Sequence, residues 1–182
     1  MTDYYRPIPV TGPAIGPEAV PLAGGWCHFT HVERLSRTGA REILPAADLP
    51  AAWRAPLTAA RGDFATVPMG RPSLMGILNL TPDSFSDGGR HEDIQAALEQ
   101  AHRLVAEGAD ILDLGAESTR PGAKEVPQQQ EIARLMPALE ALRGSGVISL
   151  DTRKADVARA GLAAGAQVIN DVSGLRFDTN MI

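Results

Sequence analysis

VISLDTRKADVARAGLAAGAQVINDVSG, residues 147–174, changes its hydrophobic period twice within 28 residues. Val147–Leu150 is a short, almost continuous apolar run of strand length. Ala155–Ala164 then carries its apolar residues at helical spacing, and Gly165 follows as a C-terminal stop, where glycine accepts the left-handed backbone that ends a helix. Val168–Val172 is a second strand-sized run. Moving toward the N-terminus, the same alternation repeats. Leu74–Leu80 and Ala109–Gly115 are apolar runs. Between them, Asp93–Glu107 places Ile94, Ala97, Leu98, Ala101, Leu104 and Val105 three and four residues apart on one helical face. Gln128–Arg143 does the same through Ile132, Leu135, Met136, Leu139 and Leu142. Strands that are apolar on both faces, alternating with amphipathic helices, predict a parallel sheet covered by helices.

Before residue 70 the composition differs. Residues 1–25 are rich in Pro and Gly and predict an extended arm with little regular structure. Trp26–Arg41 alternates loosely around Arg37-Thr38-Gly39 and reads as a hairpin. Asp48 is positioned to cap a short helix starting at Leu49-Pro50. The expected division is therefore an N-terminal extension over residues 1–70, an accessory edge without chemistry of its own, and an α/β unit over residues 71–182.

Composition narrows the function. The chain is 44% hydrophobic and 21% charged, with a mean hydropathy of -0.08, an ordinary globular balance. A net charge of -5, a pI near 5.3 and no basic cluster argue against a nucleic-acid partner. No apolar run reaches the roughly 20 residues of a membrane helix, and the N-terminus lacks a basic segment followed by an apolar one. The single cysteine, Cys27, cannot pair within the chain, which fits a reducing, cytoplasmic setting. No GxGxxG, P-loop, CxxC or HExxH motif occurs, and the four histidines lack metal-ligand spacing.

Parallel α/β folds, doubly wound or barrel, bind ligands at the carboxyl ends of their strands. Here every strand runs into a polar cluster: Asn79–Gly89, Gly115–Gly122, Asp151–Lys154 and Asn170–Gly174. Any single cluster is explained by helix capping and turn chemistry, Asp151-Thr152 especially. Four clusters on one rim are harder to explain that way. Asp151 and Asn170 suit a planar heterocycle with an amide-like edge. Asn79 offers an oxygen for a hard cation accompanying a phosphate. Arg120, in a stiff Pro/Gly-flanked loop, suits an anion. Phe85 in a polar loop suggests either ligand contact or a hydrophobic anchor.

MGILNLTPDSFSDGG (75–89), GAESTRPGA (115–123), LDTRKADV (150–157) and GAQVINDVSG (165–174) closely resemble the motifs of dihydropteroate synthases, in the family's order and approximate spacing. The resemblance implies a (β/α)8 TIM barrel of the pterin-binding type, of which this chain would supply the first four βα units. It implies condensation of 6-hydroxymethyl-7,8-dihydropterin diphosphate with p-aminobenzoate in folate biosynthesis, by an SN1-like route without a side-chain nucleophile. Asp151 and Asn170 would bind the pterin, Asn79 would hold magnesium (Mg2+), and Thr119 would lie near the substrate. Asp83 and Asp87 would come from the first loop, Asp87 stabilising positive charge on the pterin methylene. Phe85, Arg120 and Pro121 would border the p-aminobenzoate pocket, where sulfonamides also bind. The usual second Gly of the second motif is Ala116 here. The family's later motifs have no counterpart, so the expectation is a fragment of a longer, homodimeric enzyme, inactive by itself. Two alternatives are a non-catalytic pterin-binding or assembly subunit and a pterin-dependent corrinoid methyltransferase. The TPDSFSDGG and STRPG loops favour the synthase over the latter.

Overall fold

The computed structural model describes residues 3–12, 16–37, 39–81, 90–120 and 122–182. The expectations for Asp83, Phe85, Asp87 and Pro121 lie outside these residues. The chain divides into two compact units, one of Met1–Asp63 with Pro68–Pro72 and one of Phe64–Val67 with Ser73–Ile182.

The first unit is an antiparallel sheet built around β3 (His28–Leu35). β1 (Tyr4–Val10) pairs along one side of it, while β2 (Val20–Pro21) and β4 (Arg41–Pro45) share the other. Residues 1–25, read from sequence as an arm with little regular structure, thus contribute two strands. Their prolines misled the reading because β1 is an edge strand, where Pro7 and Pro9 sacrifice no inner ladder bond, and the register shifts between Ile8 and Pro9. Asp48 does not act as a cap. It ends a short 3-10 turn over Ala46–Asp48, and α1 (Ala51–Thr58) begins after Pro50 without a side-chain cap. Phe29, Val32, Ala46 and Leu49 form the small core, with Trp53 packed on it, edge-to-face with Tyr4 and tilted against Tyr5.

The second unit is the parallel α/β layer that the sequence alternation predicts. β5 (Met75–Asn79), β6 (Ile111–Gly115), β7 (Val147–Asp151) and β8 (Val168–Asn170) pair in chain order, all parallel. α2 (Arg90–Ala106), α3 (Gln128–Ala141) and α4 (Ala155–Ala164) connect them. One sheet face presents Leu78, Leu112, Leu114, Ile148 and Leu150. These are buried with Ala97 and Ala101 of α2, Leu135 and Leu139 of α3 and Val157 of α4. Gly161 lets α4 approach closely, since a Cβ there would fall 2.3 Å from Leu150 Cδ2. Gly165 ends α4 at φ 113°, the left-handed stop expected of it. The opposite face is apolar toward the amino ends of its middle strands, where Ile111 and Val147 are covered by Val67. It turns polar toward the carboxyl ends.

Candidate functional site

Because paired residues of a parallel sheet share a face, the register arranges the site. Asn79 pairs with Gly115, Gly115 with Asp151, and Asp151 with Asn170, so the final residues of all four strands form one lateral row. Strands stand about 5 Å apart, which puts Asp151 and Asn170 side by side and Asn79 about 10 Å from Asp151. Gly115 fills the gap: a Cβ on it would come within 3.3 Å of Asp151 Oδ2, so its missing side chain makes room for the carboxylate. One step deeper lies a second row, Ile77, Asp113, Ser149 and Val168.

Asp151 is not a helix cap. The N-cap of α4 is Lys154, with no side-chain cap bond, and the amide of Ala155 donates instead to Asp178 Oδ2 at 2.9 Å. That bond, with a second from Asn180, holds the Asp178 carboxyl below the usual carboxylate range. Asp151 moves the opposite way, pushed up to about 6 by burial and by the surrounding carboxylates of Asp113, Glu131, Asp171 and Glu117. A carboxyl with so costly a charge is poised to accept from a donor-rich ligand. Asp171, by contrast, is a turn residue. It accepts from the Ser173 amide at 2.8 Å, the Ser173 hydroxyl at 3.0 Å and the Leu175 amide at 2.8 Å. Burial works to raise its carboxyl, but these bonds outweigh that and hold it low.

Two features escaped the sequence reading. Asp113 is 5% exposed and accepts from Asn170 Nδ2 at 3.0 Å, which fixes the direction of the amide because a carboxylate can only accept. Its Oδ1 and the buried Ser149 hydroxyl have no partner among the described residues. The signal was a lone carboxylate inside the apolar strand Ile111–Gly115. The second feature is an ion network around Lys154. Its Nζ donates to Glu117 Oε2 at 2.6 Å, Glu131 Oε2 at 2.7 Å and the Val126 carbonyl at 2.6 Å. Burial would raise the Glu117 carboxyl, yet the bonds from Lys154, Arg153 and the Val126 amide hold it below its usual range. Nothing in the spacing of Glu117, Glu131 and Lys154 announces that they meet.

Thr119 and Arg120 lie exposed on the loop after β6, next to the row that Gly115 joins. Among the described residues no three His, Cys, Asp or Glu side chains gather as a metal site, and no helix is long and apolar enough to cross a membrane.

The sequence pattern of a family described as pterin binding enzyme matches residues 75–182, more than half of the chain and nearly all of the second unit. The chain belongs to the pterin binding enzyme family. Within that family, a dihydropteroate synthase of Streptococcus pyogenes is 47% identical over 115 residues, covering 62% of this chain and 43% of the relative. A mitochondrial folate synthesis bifunctional protein of Arabidopsis thaliana is 49% identical over 113 residues, covering 59% of this chain and 20% of the relative. The solved dihydropteroate synthase of Clostridium difficile, obtained in the presence of pteroic acid, superposes with a TM-score of 0.60 at 46% identity, covering 66% of this chain and 45% of that one. That of Xanthomonas albilineans with 4-aminobenzoic acid gives 0.59 at 50% identity, covering 63% and 43%. The chain spans less than half the length of these relatives. The pterin binding match begins at Met75, the first residue of β5, so the row of strand-end residues lies wholly inside it.

Proposed function

We propose that the protein acts as a dihydropteroate synthase, joining 6-hydroxymethyl-7,8-dihydropterin diphosphate to p-aminobenzoate with loss of diphosphate. The observation that carries this reading is the strand-end row, in which a carboxyl raised by its surroundings stands beside an amide held by Asp113. A dihydropterin edge offers adjacent ring N–H and amino donors to Asp151. Its carbonyl and ring nitrogens suit the Asn170 amide, which can both donate and accept. Ionised Asp151 bears the repulsion of four neighbouring carboxylates, and the ligand's donors relieve it. Asp113 and Ser149, buried in the row beneath with unpartnered oxygens, extend the polar floor.

At the reacting end, the C–O bond between the pterin methylene and the diphosphate breaks with its electrons leaving on diphosphate. The arylamine nitrogen then bonds to the methylene and loses its proton to solvent. Asp87 would stabilise the positive charge developing on the methylene, with Asp83 on the same loop. Phe85, Arg120 and Pro121 would border the p-aminobenzoate, with Thr119 near the substrate at the end of β6. Asn79, exposed at the end of β5, offers one neutral oxygen that would hold a magnesium ion, which would supply positive charge to stabilise the departing diphosphate. The finer architecture we propose is a (β/α)8 barrel of which these four units are the first. The exposure of Met75 and Ile77 supports it, since parallel sheets bury both faces.

Product formation from the pterin diphosphate and labelled p-aminobenzoate, with and without magnesium, tests the reading. Magnesium-dependent dihydropteroate supports a synthase. Pterin binding without turnover at any magnesium concentration, both in this chain and in a version extended through the family's later motifs, favours a non-catalytic pterin-binding subunit instead.

A further inference from the structure

We propose that Lys154 is a positioning residue, a staple that closes the base of the loop carrying Thr119 and Arg120 and so sets the p-aminobenzoate side of the site; the ligand half of this inference rests on the synthase reading. The loop leaves β6 at Glu117 and reaches α3 through Val126. Between them Ser118–Arg120 and residues 122–125 are exposed. Both ends are drawn into one buried knot. Lys154 Nζ holds Glu117 Oε2 and the Val126 carbonyl, each at 2.6 Å. Glu117 Oε1 in turn accepts from the Val126 amide at 3.2 Å, so both polar groups of Val126 are fixed within the cluster. Arg153 donates to the same Glu117 oxygen at 2.9 Å and stacks 3.9 Å from the Phe177 ring of the segment after β8. Glu131, fully buried in the first turn of α3, accepts from Lys154 at 2.7 Å and from the Thr152 hydroxyl at 2.7 Å. Two cations thus face two carboxylates, and Lys154 joins the loops after β6 and β7 to α3.

A buried ion network of this kind contributes little net stability compared with apolar side chains of the same volume, because removing its charges from water costs about as much as their attraction returns. Its geometric effect is larger. Lys154 follows Asp151 by three residues, and one ammonium fixes both ends of the ten-residue span from Glu117 to Val126 relative to the pterin carboxylate. Without it the ends of the span are still tied by the bonds of Glu117 to Arg153 and the Val126 amide, and by Arg134 to the Ala116 carbonyl, none of which joins Glu117 and Val126 to Glu131.

The test is the charge-balanced double variant Lys154→Met/Glu131→Gln, which removes one cation and one anion and keeps the Arg153–Glu117 pair. Far-ultraviolet circular dichroism should match the wild type. Hydrogen exchange of amides 118–126 should accelerate by about tenfold or more, with β6 and β7 unchanged. The affinity for p-aminobenzoate, measured with pterin bound, should fall about tenfold while the pterin affinity stays within about twofold. Glu131→Gln alone keeps the staple, and its 118–126 exchange should remain within about twofold of wild type. Unchanged exchange in the double variant overturns the proposal, as does equal loss of both ligands. If the wild-type protein binds neither ligand, the synthase reading fails, and the exchange data alone decide whether Lys154 positions the loop.

Discussion

Replacing Asp151 with Asn should stabilise the protein, and by an amount that depends on pH. The surroundings push the Asp151 carboxyl from the ordinary 3.8 to about 6, principally through burial and secondarily through Asp113. A shift of that size corresponds to a ceiling of about 3 kcal/mol between the protonated and ionised forms. Solvent still reaches the carboxyl, and screening reduces the expected effect to about 1–2 kcal/mol. The native state binds this proton more tightly than the unfolded chain. The contribution is therefore fully present below the unfolded value of 3.8 and is lost as pH rises through about 6. Asn keeps the shape and carries no charge, so the variant should lack that loss. Its advantage should be near zero around pH 4, grow between about pH 4 and 6, and stay level above. Urea unfolding must be followed by helical circular dichroism, because Trp26 and Trp53 both belong to the first unit. A variant less stable than wild type at pH 8, or an advantage equally large at pH 4, would refute the argument.

Three further outcomes follow from the geometry. Gly115→Ala introduces a Cβ 3.3 Å from Asp151 Oδ2, and the displaced carboxylate should weaken pterin binding about tenfold in calorimetry with little change in stability. Gly161→Ala gains up to about 1 kcal/mol of helix propensity, but its Cβ meets the fully buried Leu150 at 2.3 Å. Overpacking should win, and urea unfolding should show a net loss of about 1–3 kcal/mol. Lys154→Met alone strands Glu131 and half of Glu117 without their cation, and should cost about 3–5 kcal/mol at neutral pH, far more than the charge-balanced double variant.

The second unit was legible in the sequence because each element there advertises its own period. The apolar runs are short, the helices carry one apolar stripe, and Gly165 supplies a stop that only a left-handed residue fills comfortably. The first unit was less legible, since Pro7 and Pro9 hide an edge strand whose partner residues, from Val10 with His28 to Tyr4 with Leu35, lie 18 to 31 positions away. Asp151, Asn170 and Asn79 were singled out from their position at strand ends, and the register puts them in one row. Asp113 could have been suspected as a carboxylate in an apolar strand, but its bond to Asn170 spans 57 residues and has no local signature. The meeting of Glu117, Glu131 and Lys154 depends on how α3 packs beside β6 and β7, a long-range outcome that spacing cannot reveal. Asp171 gives the reverse lesson. It sits in a site motif, and its bonds to Ser173 and Leu175 make it a turn residue.

The measurement that bears most directly on the central claim is calorimetric titration with 6-hydroxymethyl-7,8-dihydropterin, free of phosphate so that only protein groups titrate near neutrality. Wild type should bind, with affinity falling as pH drops through about 6, where Asp151 takes up a proton. Asp151→Asn and Asn170→Ala should each bind at least about tenfold more weakly, and Asp151→Asn should lose the pH dependence. A wild-type protein that does not bind the pterin, or binds it no better than the two variants, would contradict the assignment of the strand-end row as a pterin site.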